Sequence, residues 1–560
     1  MNNNQSLNIP LKDNVAWNEH IQGAVEKFLK TAVIIDNQPW IRMDPSAQEI
    51  QHEGIKKSSG MDQEFPELET PEPVASSGEH DLDLRAISDV FSEKGIACAF
   101  VLPDDANKDN QQKLMRAINA AKVSDIVVID WYLEAKSAAL TLHILEEIAK
   151  SDSQENGRLR LICVYTGEPL NGAIFNDVIN GFKKGGIVVN KVDDEEFCAL
   201  SKSTIIVLRN KKELPASTLP DFLIQTFSRF ANGLIPSFAL AAIGAIRKNT
   251  HHMLTRFSSN LDPAYISNRL ITNPPSDVAE LMRELMVAEC DNALGLERIA
   301  DDYLENKTIT HWLNFNATKL KFLTYSDKNN EVTIDREFID SILKNGINDN
   351  DFLHLNGSKV NFPEKKRDLL SNCLTGNPDI SKKCQNEFSK LVAFRRESNG
   401  STTRLMNPAW LPSLTTGTVI SYFDNAQQKK YLMCFTPACD TLRLSSPRPF
   451  VFLEGTIMSK KYNLVISSDY DSDIGVFFDK KNPIVRTFNF TPEAETQRVR
   501  ALKKDKKYIF TDGTIEFEWV GEIRYSRAMS EMASIANNWM RIGIIDSEYL
   551  RLASKGHFKF

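Results

Sequence analysis

The sequence predicts a multidomain protein of α/β, α and β parts. It should hold an N-terminal doubly wound parallel sheet, a helical middle, and a β-rich C-terminal domain of barrel or sandwich type. Three observations carry this expectation. Short apolar runs alternate with amphipathic helical patterns over residues 30–213, which implies a parallel sheet covered by helices on both faces. Residues 216–310 are strongly helical in pattern. Residues 410–525 carry short alternating strands with turn residues between them.

The elements follow in order. A polar lead, "MNNNQSLNIP", precedes a helical pattern, "NEHIQGAVEKFLK", and a buried strand, "TAVIID" (31–36). Residues 44–83 are rich in Glu, Asp, Ser and Pro and read as a flexible acidic insertion. The helix "LRAISDVFSEKG" leads to the strand "ACAFVLP", and the helix "NQQKLMRAINAAKVS" to the strand "SDIVVID". The helix "KSAALTLHILEEIAKS", the strand "LRLICVYTG" and the helix "AIFNDVINGFKK" come next, then two strand-like runs, "GIVVN" and "STIIVLRNK". Beyond these, Ser276 behind two prolines is placed to cap the helix "DVAELMRELMVAECDNAL". "IDREFIDSILKNG" and "EKKRDLLSNCLTG" are helix candidates in a mixed region. Six strand-like runs, from "TGTVISYFD" to "TIEFEWVGEIRY", fill the β-rich part, and helices "SRAMSEMASIANNWMRIG" and "SEYLRLAS" close the chain. The expected division is therefore 1–30, 31–213, 214–310, 311–405 and 406–560.

With 560 residues the chain is long enough for several cores. A net charge of −7 argues against a nucleic-acid coat as the main role. Eight scattered cysteines form no CxxC pair, so zinc is not expected. The opening is too polar for a signal peptide and no apolar stretch is long enough for a membrane span, so a reduced, cytoplasmic protein is expected. No P-loop, Rossmann glycine fingerprint or HExxH motif occurs.

The ends of three strands are chemically distinctive. "VIIDN" ends on Asp36 and Asn37, "VVIDW" on Asp130, and "CVYTG" on Thr166. In doubly wound sheets, function collects at the carboxyl ends of the strands. Two carboxylates on one rim repel, and a hard cation such as Mg²⁺ relieves that repulsion. A metal-held aspartate can attack a phosphoryl group, a hydroxyl can donate to the product, and a lysine can pair with it. In residues and order this resembles the receiver domain of response regulators, in a divergent form found in bacterial gene clusters for conflict with phage. The resemblance covers about a third of the chain and implies a flavodoxin-like fold. It also implies Asp36 and Asp130 as Mg²⁺ ligands, Asp130 as phosphoacceptor and Thr166 as switch hydroxyl. The lysine is Lys191 in "VVNK" or Lys211 in "IIVLRNK", the latter ending the better strand. Asn37 stands where such domains usually present a second acid, and the stretch between Thr166 and Lys211 is long for the family.

The implied function is a signalling component, phosphorylated by a histidine-kinase-like or ATPase partner and acting on an effector protein, with phosphoacceptor chemistry at most. The alternatives are an unphosphorylated pseudo-receiver that docks a partner, or a nucleic-acid-binding C-terminal module. "RALKKDKKY" and "SPRPF" are the basic stretches for that last reading, with a solvated charged loop as the commoner explanation. His251 and His252 in "IRKNTHHMLTRF" are candidate relay histidines, but neighbours on a helix point about 100° apart, so a basic helix face is the plainer reading. Cys439 and Asp440 in "TPACD" are candidates for nucleophilic chemistry, against a strand-end turn with a small thiol. The acid-rich "SSDYDSDIG" lacks the ligand spacing of a calcium loop.

Overall fold

The computed structural model describes residues 15–37, 39–40, 82–102, 110–134, 136–155, 157–273, 276–327, 330–348, 351–355, 357–399, 410–467, 472–505 and 507–540, with 552, 555 and 557. The polar lead, nearly all of the acidic insertion 44–83, and nearly all of the closing "SEYLRLAS" lie outside the described residues. The chain divides into two compact units: Met1–Phe257 with Met286–Ala317, and Ser258–Leu285 with Thr318–Phe560.

The first unit begins with α1 (Val15–Phe28) and β1 (Thr31–Ile35). The two-residue strands β2 (Pro39–Trp40) and β3 (Leu82–Asp83) pair with each other. Then come α2 (Leu84–Glu93), β4 (Ala97–Val101), α3 (Asn110–Val123), β5 (Ile126–Asp130), α4 (Ala139–Gln154), β6 (Arg160–Thr166) and α5 (Gly172–Lys184). β7 (Asn190–Lys191), β8 (Cys198–Leu200), β9 (Thr204–Asn210), α6 (Leu219–Ala231), α7 (Leu234–Lys248) and α8 (Thr250–Arg256) follow. The chain then leaves the first unit through α9 (Asp262–Ile271), which belongs to the second; α10 (Ser276–Leu296) starts in the second unit and ends in the first, where α11 (Ile299–Leu304) and α12 (Asn306–Phe315) follow.

Seven strands form one sheet in the order β4-β1-β5-β6-β9-β8-β7. The first five are parallel and give the doubly wound, flavodoxin-like order 2-1-3-4-5; β8 and β7 add an antiparallel edge. Burial explains why the parallel strands read as continuous apolar runs. Ala32, Ile34, Val128, Cys163 and Val207 point into a core shared with α1, α2, α6 and α7. Their neighbours Val33, Ile35, Val127, Ile162 and Ile206 point into a second core under α3, α4 and α5. α7 crosses α1 closely at Gly244, where a Cβ would lie 2.5 Å from the Lys27 carbonyl oxygen. α6 and α7 together are apolar enough for a membrane span but bend by 118° at the break between them. Among the described residues, no single helix is long and apolar enough to cross a membrane.

The second unit has two small hairpins, β10 (Leu323–Asp327) with β11 (Asn330–Ile334), and β12 (Phe352–Leu355) with β13 (Ser358–Asn361). Helices α13 (Arg336–Asn345), α14 (Asp368–Thr375) and α15 (Pro378–Ala393) accompany them. A ten-stranded sheet follows, built from β14 (Phe394–Glu397), β15 (Thr418–Phe423), β16 (Lys429–Cys434), β17 (Arg448–Ile457), β18 (Leu464–Ser467) and β19 (Asp473–Phe478). It is completed by β20 (Ile484–Phe490), β21 (Leu502–Lys504), β22 (Lys507–Thr511) and β23 (Glu516–Ile523). All its pairings are antiparallel, and the long β17 holds β16 on one side and β19 and β20 in succession on the other. One core includes Phe394, Met433, Leu453 and residues of α16 (Tyr525–Met540). The other is aromatic, with Phe450, Phe452, Phe490, Phe517 and Trp519.

Candidate functional site at the carboxyl rim of the parallel sheet

The site follows from strand register. Ile35 of β1 faces Ile129 of β5, so Asp36 and Asp130 leave adjacent strands at the same level. Asp130 faces Tyr165 of β6, and Thr166 faces Asn210 of β9, one residue before Lys211. Four strand ends thus bring Asp36, Asp130, Thr166 and Lys211 to one rim.

Lys211 joins the two acids. Its Nζ donates to Asp36 Oδ2 at 2.9 Å and lies 3.0 Å from Asp130 Oδ1. All three groups are buried: the lysine side chain is 6% exposed, those of Asp36 and Asp130 3% and 11%. The other Asp130 oxygen accepts the Tyr132 N–H at 3.2 Å, and the Asp130 carbonyl accepts the Thr141 hydroxyl at 2.9 Å, which ties the strand end to the start of α4. Burial pushes the Asp130 carboxyl above the ordinary aspartate range; Lys211 pulls it down and Asp36 repels it upward again. Burial works to lower the Lys211 pKa, but the two carboxylates outweigh it and hold the ammonium above the usual lysine value.

Thr166 is buried at the same rim, opposite Asn210. Its hydroxyl oxygen accepts the Glu168 N–H at 3.0 Å, and its carbonyl accepts the Lys211 N–H at 2.8 Å. Asn210, which the sequence reading passed over, fastens the two loops: its amide donates to the Glu168 carbonyl at 2.7 Å and accepts the Lys212 N–H at 2.8 Å. An Asn just past an apolar run, two residues before the N–H it caps, was a legible turn signal. Tyr165 was also missed. Its hydroxyl bonds to the Leu214 carbonyl, and its ring lies 5.9 Å from Lys211 Nζ.

The other candidates lie elsewhere. Lys191 sits exposed on β7, at the sheet edge, with its ammonium 5.8 Å over the Phe175 ring. The structure therefore puts Lys211, not Lys191, against the acids, because two further strands separate β7 from β6. His251 and His252 are both exposed on α8, and their ring centroids lie 3.8 Å apart. Cys439 is exposed and its thiol lies 3.7 Å from Asp440 Oδ1, in the short 3-10 turn Ala438–Thr441. In the basic stretch near β21, Lys504 pairs with Glu516 of β23 and Lys507 with Glu518 of β23, which Lys429 of β16 also meets.

The parallel order, the two rim acids and the bridging lysine agree with the comparison of this chain with known families. The family model described as a response receiver domain matches residues 28–216. That segment is a response receiver domain. No curated protein and no solved structure matches the chain. The receiver domain marks the protein as response-regulator-like in signalling, with a kinase or effector as the type of partner its family implies. Receiver domains typically bind Mg²⁺ at the phosphorylation site. The carboxylates present at this rim are two, Asp36 and Asp130, with Asn37 next to Asp36 where a third acid is usual. Among the described residues no group of three or more His, Cys, Asp and Glu could hold a metal. Two carboxylates still suit Mg²⁺, which keeps several waters and takes phosphate oxygens as ligands.

Proposed function

We propose that the protein is a phosphorylation-responsive signalling component of an antiphage system, in which Asp130 accepts a phosphoryl group and thereby controls a partner interaction. The observation that supports this most is the burial of Asp36 and Asp130 around one Lys211 ammonium at the rim of the receiver sheet. The donor class is a phosphohistidine on a kinase-like partner. An Asp130 carboxylate oxygen forms the new P–O bond while the P–N bond breaks; the imidazole nitrogen leaves with the electron pair and takes a proton. Hydrolysis of the acyl phosphate returns the aspartate and inorganic phosphate.

Asp36 and Asp130 would hold Mg²⁺, which supplies countercharge to the phosphoryl oxygens. The chain's own groups do the rest. Lys211 already sits between the acids and would turn to the added oxygens. The Thr166 hydroxyl, held at the same rim, can donate to them. Phosphorylation adds up to about one further negative charge at this point, enough to bias a two-state loop. In this reading residues 31–213 signal to a helical segment at 214–310 and to the parts beyond.

A second reading has one observation in its favour. Asn37 removes an acid from the expected set, and the Lys211 ammonium bridges the two that remain, as a built-in cation would. A pseudo-receiver of this kind would dock its partner without phosphate. Beryllofluoride binding separates the two. Mg²⁺-dependent binding to wild type and its loss in Asp130→Asn support the phosphoacceptor; no binding to wild type supports the pseudo-receiver.

A further inference from the structure

The acidic turn "DDEE" at 193–196, between β7 and β8, is not explained by the rim chemistry. Two of its carboxylates are turned inward. Glu195 accepts from Arg209 through Oε1 and from Arg229 through Oε2, and Asp194 Oδ1 lies 3.4 Å from Arg229 Nη1. Arg209 belongs to β9, two residues before Lys211, and Arg229 to the last turn of α6. The Arg209 guanidinium also lies 4.7 Å over the Phe222 ring of α6, and it donates to the Leu208 carbonyl at 2.8 Å. Glu195 is thus shared between the strand that carries the rim lysine and the helix that follows it.

The face of the sheet reinforces the link. Arg209 is the register partner of Tyr165, whose ring approaches Lys211 and whose hydroxyl bonds to Leu214 in the turn before α6. On its other side the β7–β8 turn carries Phe197, which meets Phe175 of α5 edge-on at 5.9 Å. Phe197 has φ +56°, and its carbonyl accepts the Leu208 N–H at 3.0 Å, so the turn is fixed by backbone as well as by charge. A surface ion pair would contribute little. This one is a network: the side chains of Arg209, Glu195, Arg229 and Asp194 are between 13% and 21% exposed.

We propose that this turn is a coupling clamp: Glu195, gripping Arg209 of the rim-lysine strand and Arg229 of α6 at once, transmits the charge state of the Asp36–Asp130 rim to α6. The clamp rests on the rim acting as a switch, but its mechanics need only that the rim charge change. When Asp130 is modified or neutralised, Lys211 loses its bridge, the end of β9 shifts, and Arg209 carries the shift through Glu195 to α6.

A double-mutant cycle tests this, because coupling between sites is shown by non-additivity and not by proximity. Hydrogen exchange of the α6 amides of the full chain is measured in wild type, Asp130→Asn, Glu195→Gln and the double variant. Asp130→Asn is expected to change α6 exchange by about fivefold or more in the wild-type background. With Glu195→Gln, and equally with Arg229→Gln as the second way to open the clamp, that response should shrink to near nothing. Equal responses in all backgrounds, or no α6 response to Asp130→Asn, overturn the clamp. Beryllofluoride with Mg²⁺ on the same samples keeps the two readings apart. Coupling without beryllofluoride binding sinks the phosphoacceptor and leaves the clamp standing; binding with an additive cycle sinks the clamp alone.

Discussion

Replacing Lys211 by Met should expose the electrostatic balance of the rim. The side chain is nearly isosteric along its stem, so packing beside Tyr165 changes little, but the ammonium that lies 2.9 Å and 3.0 Å from the two carboxylates is gone. Removing one partner from a buried ion pair costs about 3–5 kcal/mol, because the remaining charge is left in a poor solvent. Here two buried acids lose their common partner, so the upper part of that range is expected at neutral pH.

The pH dependence gives the sharper test. Asp130 already has a folded pKa above its unfolded value, so its ionisation opposes folding as pH rises through the carboxylate range. Lys211 is the chief influence that pulls that pKa down, so its loss raises it further. The gap between wild type and Lys211→Met should therefore narrow as pH falls through the carboxylate range, where Asp130 takes up its proton, and widen towards pH 7. The Lys211 contribution itself, from a raised folded pKa, is fully present below the ordinary lysine value and is lost only as pH rises through the folded one. The assay is urea unfolding of the full chain followed by hydrogen exchange in β5 and β9, which isolates the receiver domain's own transition. A gap below about 1 kcal/mol at pH 7, within the range of an exposed ion pair, would refute the reasoning, as would a gap of constant size from pH 4 to 7.

Further outcomes follow from other parts of the receiver domain. Arg160 is fully buried at the opposite end of β6, where it donates to Asp152 at 2.7 Å and to the Ala121 carbonyl at 2.6 Å, so Arg160→Met should cost about 3–5 kcal/mol in urea unfolding. Burial pushes the Asp152 carboxyl up to about 6, so its ionisation opposes folding between about pH 4 and pH 6; Asp152→Asn should flatten that part of the stability–pH curve. Gly244→Ala should lower the thermal midpoint, by about 1–3 kcal/mol of overpacking, since the new Cβ would meet the Lys27 carbonyl at 2.5 Å. Tyr165→Phe removes a hydroxyl that satisfies the Leu214 carbonyl and should cost about 1 kcal/mol, seen as faster amide exchange in the turn before α6.

Much of the receiver sheet was legible because strands buried on both faces must be apolar throughout, and a charge then marks where each one ends. Asp36, Asp130 and Lys211 all declare themselves in that way. The edge was harder. "GIVVN" has a strand's composition, yet Val188 is 65% exposed and only Asn190–Lys191 pair, because the segment turns at once into β8. Lys191 would reach the rim only if that run were one of the parallel strands, and it lies instead on a two-residue antiparallel edge. The role of Glu195 was invisible for a different reason. An acidic turn reads as a solvated loop until tertiary structure brings Arg209 and Arg229 to it from 14 and 34 residues away. Arg160 belongs to the same class, since nothing local signals that a guanidinium at a strand start will be enclosed. In the second unit the short strands were recognisable by alternation, but their pairing was not. β14 joins β23 across 126 residues, and no local pattern encodes such a match.

Phosphoryl transfer to Asp130 is the claim most directly open to measurement. Intact-chain mass spectrometry after incubation with a small acyl phosphate and Mg²⁺, with borohydride trapping to locate the modified carboxyl, reads it without a partner protein. The expected result is one phosphoryl group, labile to hydroxylamine, not formed when chelator is present during the incubation and absent from Asp130→Asn. An unmodified chain, or a label that persists in Asp130→Asn, contradicts it.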